Sequence, residues 1–181
     1  LKGPRNERLF CDVAWLGHPK ASNVLVMVSG LHGVEGSVGS AIQTDFINRH
    51  RRLPEDVAVV IVHALNPWGF AWSTRHDHEG IDLNRNFIDF SAELPDSEPT
   101  LKVWKQLKNK KQIDVVGQDR AQFDCLSQGQ YADAGALYYG GSDKSWSRQT
   151  LEGVIEDLRP DKRREVMVID IHSGLGPYGY G

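Results

Sequence analysis

Three side chains in this sequence have the types and spacing of a metal centre. His32 and Glu35 stand three positions apart in Ser29-Gly-Leu-His-Gly-Val-Glu-Gly36, and His172 follows much later in Asp170-Ile-His-Ser-Gly174. Two imidazoles and a carboxylate are the ligand set of a catalytic zinc ion, which takes three protein ligands and keeps a fourth position for water. Neutral nitrogen and ionised oxygen donors are both available at neutral pH, the states the metal requires. A His-x-x-Glu pair alone is better explained by a polar surface turn, and a lone histidine after a strand by a hydrogen-bonded structural ring. The metal reading rests on the combination.

A second constellation lies in Gly80-Ile-Asp-Leu-Asn-Arg-Asn-Phe87. Arg85 carries a planar fork that matches a carboxylate, and Asn84 adds neutral donors beside it. The competing reading is a surface arginine paired with a nearby acid such as Asp89. Arg75 is suited to stabilise an oxyanion on a polarised carbonyl, or is a solvated loop charge. Asp82 is a candidate acceptor for the N–H of a ligand imidazole, fixing the ring's orientation. His76 and His78, interleaved with Asp77 and Glu79, form a further donor tract whose simpler reading is a solvated loop.

Parallel strands are the elements that bring such groups together, because in open α/β sheets ligands bind at the carboxyl ends of the strands. The continuous apolar runs at 23–29, 57–62 and 165–171 predict strands buried on both faces. Residues 9–16 predict a further strand near an edge. Between the first two buried strands, Val38, Ile42, Phe46 and Ile47 recur at helical spacing. The basic stretch 49–52 and Pro54 then close that helix. Strand, helix, strand is a βαβ unit and implies a mainly parallel sheet covered by helices. Helices are also expected at 100–108, 118–130 and 145–158, with long loops at 71–97. His32, the Asn66-Pro67 turn and His172 each follow a buried strand, so the polar clusters share one end of the sheet.

The 181 residues amount to one domain, spanning 1–181. A 40% hydrophobic and 25% charged composition with net charge -3 is that of a globular chain with a core. The apolar runs fall far short of the roughly 18 residues of a membrane span. With no run of five or more like charges there is no footprint for nucleic acid or anionic lipid. Cys11 and Cys125 form no CxxC pair, which favours a reducing, cytoplasmic setting. The chain starts at Leu1 without methionine and closes on a Gly-rich loop, so it is expected to be an N-terminal fragment, and a signal peptide upstream stays open.

These residues carry a resemblance. His32-Gly-Val-Glu35, Asn66-Pro67-x-Gly69, Arg75, Asp82-Leu-Asn84-Arg85-Asn-Phe87 and Asp170-Ile-His172-Ser-Gly174 occur in the order of the zinc carboxypeptidase superfamily. The sequence is most similar to a bacterial carboxypeptidase-like branch, and it also resembles the succinylglutamate desuccinylase and aspartoacylase group. The resemblance implies a three-layer α/β/α sandwich around a mainly parallel or mixed sheet. It implies Zn2+ bound by His32, Glu35 and His172, with Asp82 supporting a ligand histidine. Arg75 would polarise the carbonyl, and Asn84 and Arg85 would hold a substrate carboxylate. The family's general-base glutamate and substrate-closing tyrosine have no matching position and are expected beyond Gly181.

The expected activity is hydrolysis of an amide bond next to a carboxylate, on a peptide or N-acyl amino acid, with no nucleic-acid or membrane partner. Two alternatives stay open: an N-acyl amino acid deacylase with the same metal centre, and a zinc module that binds carboxylates without cutting. A serine hydrolase of the α/β type is excluded, since no Gly-x-Ser-x-Gly occurs.

Overall fold

The apolar runs do become strands of one sheet. A computed structural model describes residues 1–50, 52–108 and 120–173. The strands are β1 (Asp12–Gly17), β2 (Asn23–Ser29), β3 (Val57–His63) and β4 (Glu165–Ile171), in the order β1-β3-β2-β4. β2 runs parallel to β3 on one side and to β4 on the other, while β1 is an antiparallel edge on β3. Five α-helices accompany them among the described residues: α1 (Gly36–Arg49), α2 (Pro67–Trp72), α3 (Glu98–Leu107), α4 (Arg120–Ser127) and α5 (Trp146–Asp157). The chain is therefore mixed α/β. Positions 118 and 119 of the expected helix lie outside the described residues.

β2 and β3 supply the core. Met27, Val59 and Ile61 are buried together, and Leu16, Leu25, Phe46, Leu53 and Ile171 pack against them half-buried. Removing this apolar surface from water is the main force that holds the sheet together.

Two expectations about burial need correction. Of the apolar positions of α1 only Phe46 packs half-buried against the core: Val38 and Ile42 are 48% and 44% exposed, Ile47 is exposed too, and the fully buried positions are Gly36, Gly39 and Gln43. A Cβ at Gly39 would lie 2.6 Å from Ser29 Cβ, so the helix approaches the sheet closely there. Gln43 then reaches into the sheet. Its Oε1 accepts from Ser29 Oγ at 2.8 Å, and its Nε2 donates to the carbonyls of Met27 (2.9 Å) and Val62 (3.1 Å). A fully bonded buried amide locks the helix at that distance, and bulkier side chains on this face would hold it away.

The second correction concerns β4, expected to be buried. It lies at the sheet's edge with Met167, Val168 and Ile169 all exposed, and only Val166 and Ile171 partly covered. An edge strand with an uncovered face exposes its apolar residues whatever their type.

The chain divides into two compact units, Leu1–Asp77 with Gln149–Gly181, and His78–Arg148. The first holds the sheet. The second is organised by buried polar side chains: Asn86 donates to the carbonyls of Gly140 and Asp143, both at 2.8 Å, and accepts from Ser145 N–H at 2.8 Å. Thr100 Oγ of α3 donates to the carbonyls of Cys125 and Gly129, both at 3.0 Å, joining α3 to α4. Within the expected loop region 71–97, Leu83–Arg85 forms a single 3-10 turn. Both cysteines are free thiols, and no helix among the described residues is long and apolar enough to cross a membrane.

Candidate functional site

His32 owes its place to the way β2 ends. Gly30, with φ +68°, turns the chain, and a Cβ there would meet Ala64 Cβ at 2.8 Å. Leu65 N–H then donates to Ser29 O and Asn66 N–H to Gly30 O, which ties the exits of β2 and β3 together. Gly33 packs on the backbone of Gly69 so closely that no Cβ fits. Asn66 caps α2 by accepting from Gly69 N–H at 2.8 Å, with Pro67 in the first turn. His32 is thereby buried, 2% exposed, with Nδ1 3.3 Å from the Arg75 carbonyl. A carbonyl can only accept, so Nδ1 carries the proton and Nε2 keeps its lone pair.

His172 follows β4 directly. Its ring meets that of His32 edge-on, with centroids 5.1 Å apart. Its Nδ1 lies 3.0 Å from Asp170 Oδ2. The hydrogen bond that the ring donates to Asp170 raises the imidazole pKa, burial opposes that shift, the charges of Asp170 and Glu35 reinforce it and the charge of Arg75 opposes it. Glu35 Oε2 accepts from Ser173 N–H at 2.5 Å. His32, Glu35 and His172 thus gather at the carboxyl ends of β2 and β4, and Arg75 lies within electrostatic reach. Their ligand atoms are not drawn together as tightly as in another trio. Among the described residues it is Asp77, His78 and Glu79 that place one donor each within 4.8 Å of one another, and this consecutive group can hold a metal ion. His76, also in that tract, has Nδ1 2.9 Å from the Asp77 carbonyl.

Asp82, Asn84 and Arg85 belong to the second unit. Buried Asp82 accepts from Asn84 N–H at 3.1 Å and so caps the Leu83–Arg85 turn. In the first unit the Asp170 carboxylate stands beside the His172 ring. Asn84 is exposed. Arg85 Nη1 donates to the Asn84 carbonyl at 3.0 Å, while its Nε is buried without a hydrogen bond. The expected alternative, a pair with Asp89, does not form: Asp89 accepts from Ser91 N–H (2.9 Å) and Ser91 Oγ (2.7 Å). Those bonds, the hydroxyl's first, lower the Asp89 pKa. Among the described residues the Arg85 guanidinium makes no carboxylate pair.

Asp170 escaped the sequence reading, although a signal was present. Residues two apart on a strand point to the same side, so Asp-Ile-His already placed a carboxylate beside the imidazole. Tyr138 faces Arg85, with the guanidinium 5.7 Å from its ring centroid. Nothing local in the sequence announced that contact. Gly174, the last residue of the Asp170–Gly174 motif, lies outside the described residues.

Fold and site together define a mixed α/β protein with a polar, histidine-bearing cluster at the ends of parallel strands. The chain belongs to the family described as "Protein of unknown function (DUF2817)", which it matches over residues 1–181. No curated protein and no solved structure matches it.

Proposed function

We propose that this chain carries the metal centre of a zinc-dependent hydrolase of the metallocarboxypeptidase type, within a three-layer α/β/α sandwich, cleaving an amide bond next to a substrate carboxylate. The observation that supports it most is the 5.1 Å approach of the His32 and His172 rings from strand ends that are remote in sequence. The donors suit zinc chemically. His32 Nδ1 faces a carbonyl and His172 Nδ1 faces a carboxylate, an arrangement that fixes each ring's orientation and strengthens the other nitrogen as a donor. Glu35 supplies the third donor: Oε2 accepts from Ser173 N–H, and a carboxylate has a second oxygen for the ion. When bound, the ion supplies polarisation of the carbonyl and a lowered pKa for water.

The protein's own residues divide the remaining work. Arg75 provides positive charge for the oxyanion. Arg85, which makes no carboxylate pair among the described residues, has N–H groups beyond the one on the Asn84 carbonyl to offer a substrate carboxylate, with Asn84 beside it.

Zinc titration calorimetry tests the centre. One equivalent should bind to the wild-type protein, and His32→Ala, His172→Ala and Glu35→Gln should each abolish or strongly weaken binding, while His78→Ala leaves it intact. Loss of binding in His78→Ala with retention in His172→Ala would assign the ion to the 77–79 tract and defeat the proposal. For the reaction, free peptides should be hydrolysed in preference to C-terminally amidated ones. Preference for N-acyl amino acids would point to a deacylase, and zinc binding with no turnover of any of them to a non-catalytic module.

A further inference from the structure

We propose that Tyr138 is the positioning residue of the carboxylate clamp, holding the Arg85 guanidinium over its ring so that the fork can receive an anion. The inference rests on the reading of Arg85 as a carboxylate-binding residue and adds how that side chain is held and what sets its selectivity.

Three observations within the second unit converge on it. Tyr138 adopts a left-handed backbone, φ +56°, which is unusual for an aromatic residue and costs conformational energy. Its ring centroid lies 5.7 Å from Arg85 Cζ, within the range of a cation–π contact. On the aliphatic part of the same arginine, Gly129 (φ +85°) leaves room that no other residue would. A Cβ there would fall 2.7 Å from Arg85 Cδ and 3.3 Å from its Nε.

Gly129 and Tyr138 are held in register by the residue between them in space. Gln130, fully buried, donates its N–H to the Tyr138 carbonyl at 3.0 Å and accepts from Gly140 N–H at 2.8 Å. Tyr131 completes the seat by donating its hydroxyl to the Arg85 carbonyl at 2.8 Å. The guanidinium is therefore fixed by a ring face and a glycine gap.

That choice of partner matters chemically. A carboxylate neighbour would orient the guanidinium too, but it would occupy the fork and cancel the charge. A π face attracts the cation while leaving its in-plane donors for a ligand. Tyr138 thus orders the side chain before binding, and the site favours planar anions that accept two parallel hydrogen bonds.

Acetate serves as the minimal carboxylate probe and acetamide as its neutral control, followed at the 15N side-chain resonances of Arg85, which Arg85→Lys identifies. In the wild-type protein these signals should show a ring-current displacement and should shift with acetate but not with acetamide. Tyr138→Phe, which keeps the ring face, should bind acetate within about twofold of wild type. Tyr138→Leu should weaken it about threefold to tenfold, and Gly129→Ala should weaken it as well by displacing Arg85.

Acetate binding by Tyr138→Leu equal to wild type would overturn the positioning role and leave the clamp standing. Wild-type Arg85 signals that ignore acetate would overturn the clamp itself. Should Tyr138→Leu fail to fold, the wild-type ring-current shift decides, and its absence overturns the inference.

Discussion

β2 and β4 lie side by side, parallel and in register from Asn23 opposite Glu165 to Ser29 opposite Ile171. Their sequences, Asn-Val-Leu-Val-Met-Val-Ser and Glu-Val-Met-Val-Ile-Asp-Ile, are nearly interchangeable in apolar content. Val26 is nevertheless 0% exposed while Val168 is 49% exposed. The difference is one of neighbours: β2 has a strand on both sides and α1 pressed against it through Gly39 and Gln43, whereas β4 ends the sheet.

The contrast continues into the site, since each strand delivers one histidine. His32, buried, is held by a neutral carbonyl, and His172, with 29% of its side chain exposed, is held by the carboxylate of Asp170.

The sharpest way to break this comparison is to place the same charge in both strands. Val26→Asp puts an unpaired carboxylate into the core and should cost about 4 kcal/mol or more in urea unfolding, or prevent folding. Val168→Asp should cost about 1 kcal/mol or less. Equal losses would mean that β4 is as buried in solution as β2.

The histidine contrast is sharpened by Asp170→Asn. Removing the carboxylate from His172 should weaken zinc binding about 10- to 100-fold, with stability little changed. An unchanged zinc affinity would show that the bond at 3.0 Å does no orienting work.

A third pair tests the seat of α1. Gly39→Val drives side-chain atoms into Ser29 and should destabilise by about 1–3 kcal/mol, whereas Val38→Ser, on the exposed side, should fall within roughly 0.5 kcal/mol of wild type.

The smallest effect is at Cys11, just ahead of the edge strand β1. Burial first, and the neighbouring Asp12 charge second, push its thiol up to about 11 from an ordinary value of 9.0. The thiol stays protonated at pH 8, so its alkylation by iodoacetamide should be slow there and accelerate as the pH climbs toward 11. Because the folded-state value is raised, the stability contribution of the neutral thiol is complete below 9.0 and fades as the pH rises through about 11. Rapid labelling at pH 8 would contradict the burial of this position.

Strands and helices were largely legible because their signals are local. The apolar runs at 23–29 and 165–171 became β2 and β4 with the same boundaries, and the breaker at Pro160 closed α5 close to where periodicity placed its end. The buried face of α1 was illegible because it is made of two glycines and a glutamine, none of which counts as apolar. Its logic appears only when Ser29, Met27 and Val62 are seen to meet Gln43. The site was legible as a set of residue types at strand ends. The partners of those residues were not: that Asp170 stands beside His172 and that Asp82 caps the Leu83–Arg85 turn appear only in the folded chain.

The sequence by itself determined which residues can carry metal or anion chemistry and which segments become strands, because side-chain chemistry and hydrophobic period are written residue by residue. Only the tertiary structure decided that β2 would be enclosed and β4 left at the edge. It alone put the imidazoles of residues 32 and 172 ring against ring, and turned the tyrosine at 138 toward the arginine at 85. Burial and partnership are properties of pairs of segments brought together by packing, and no single stretch of chain contains them.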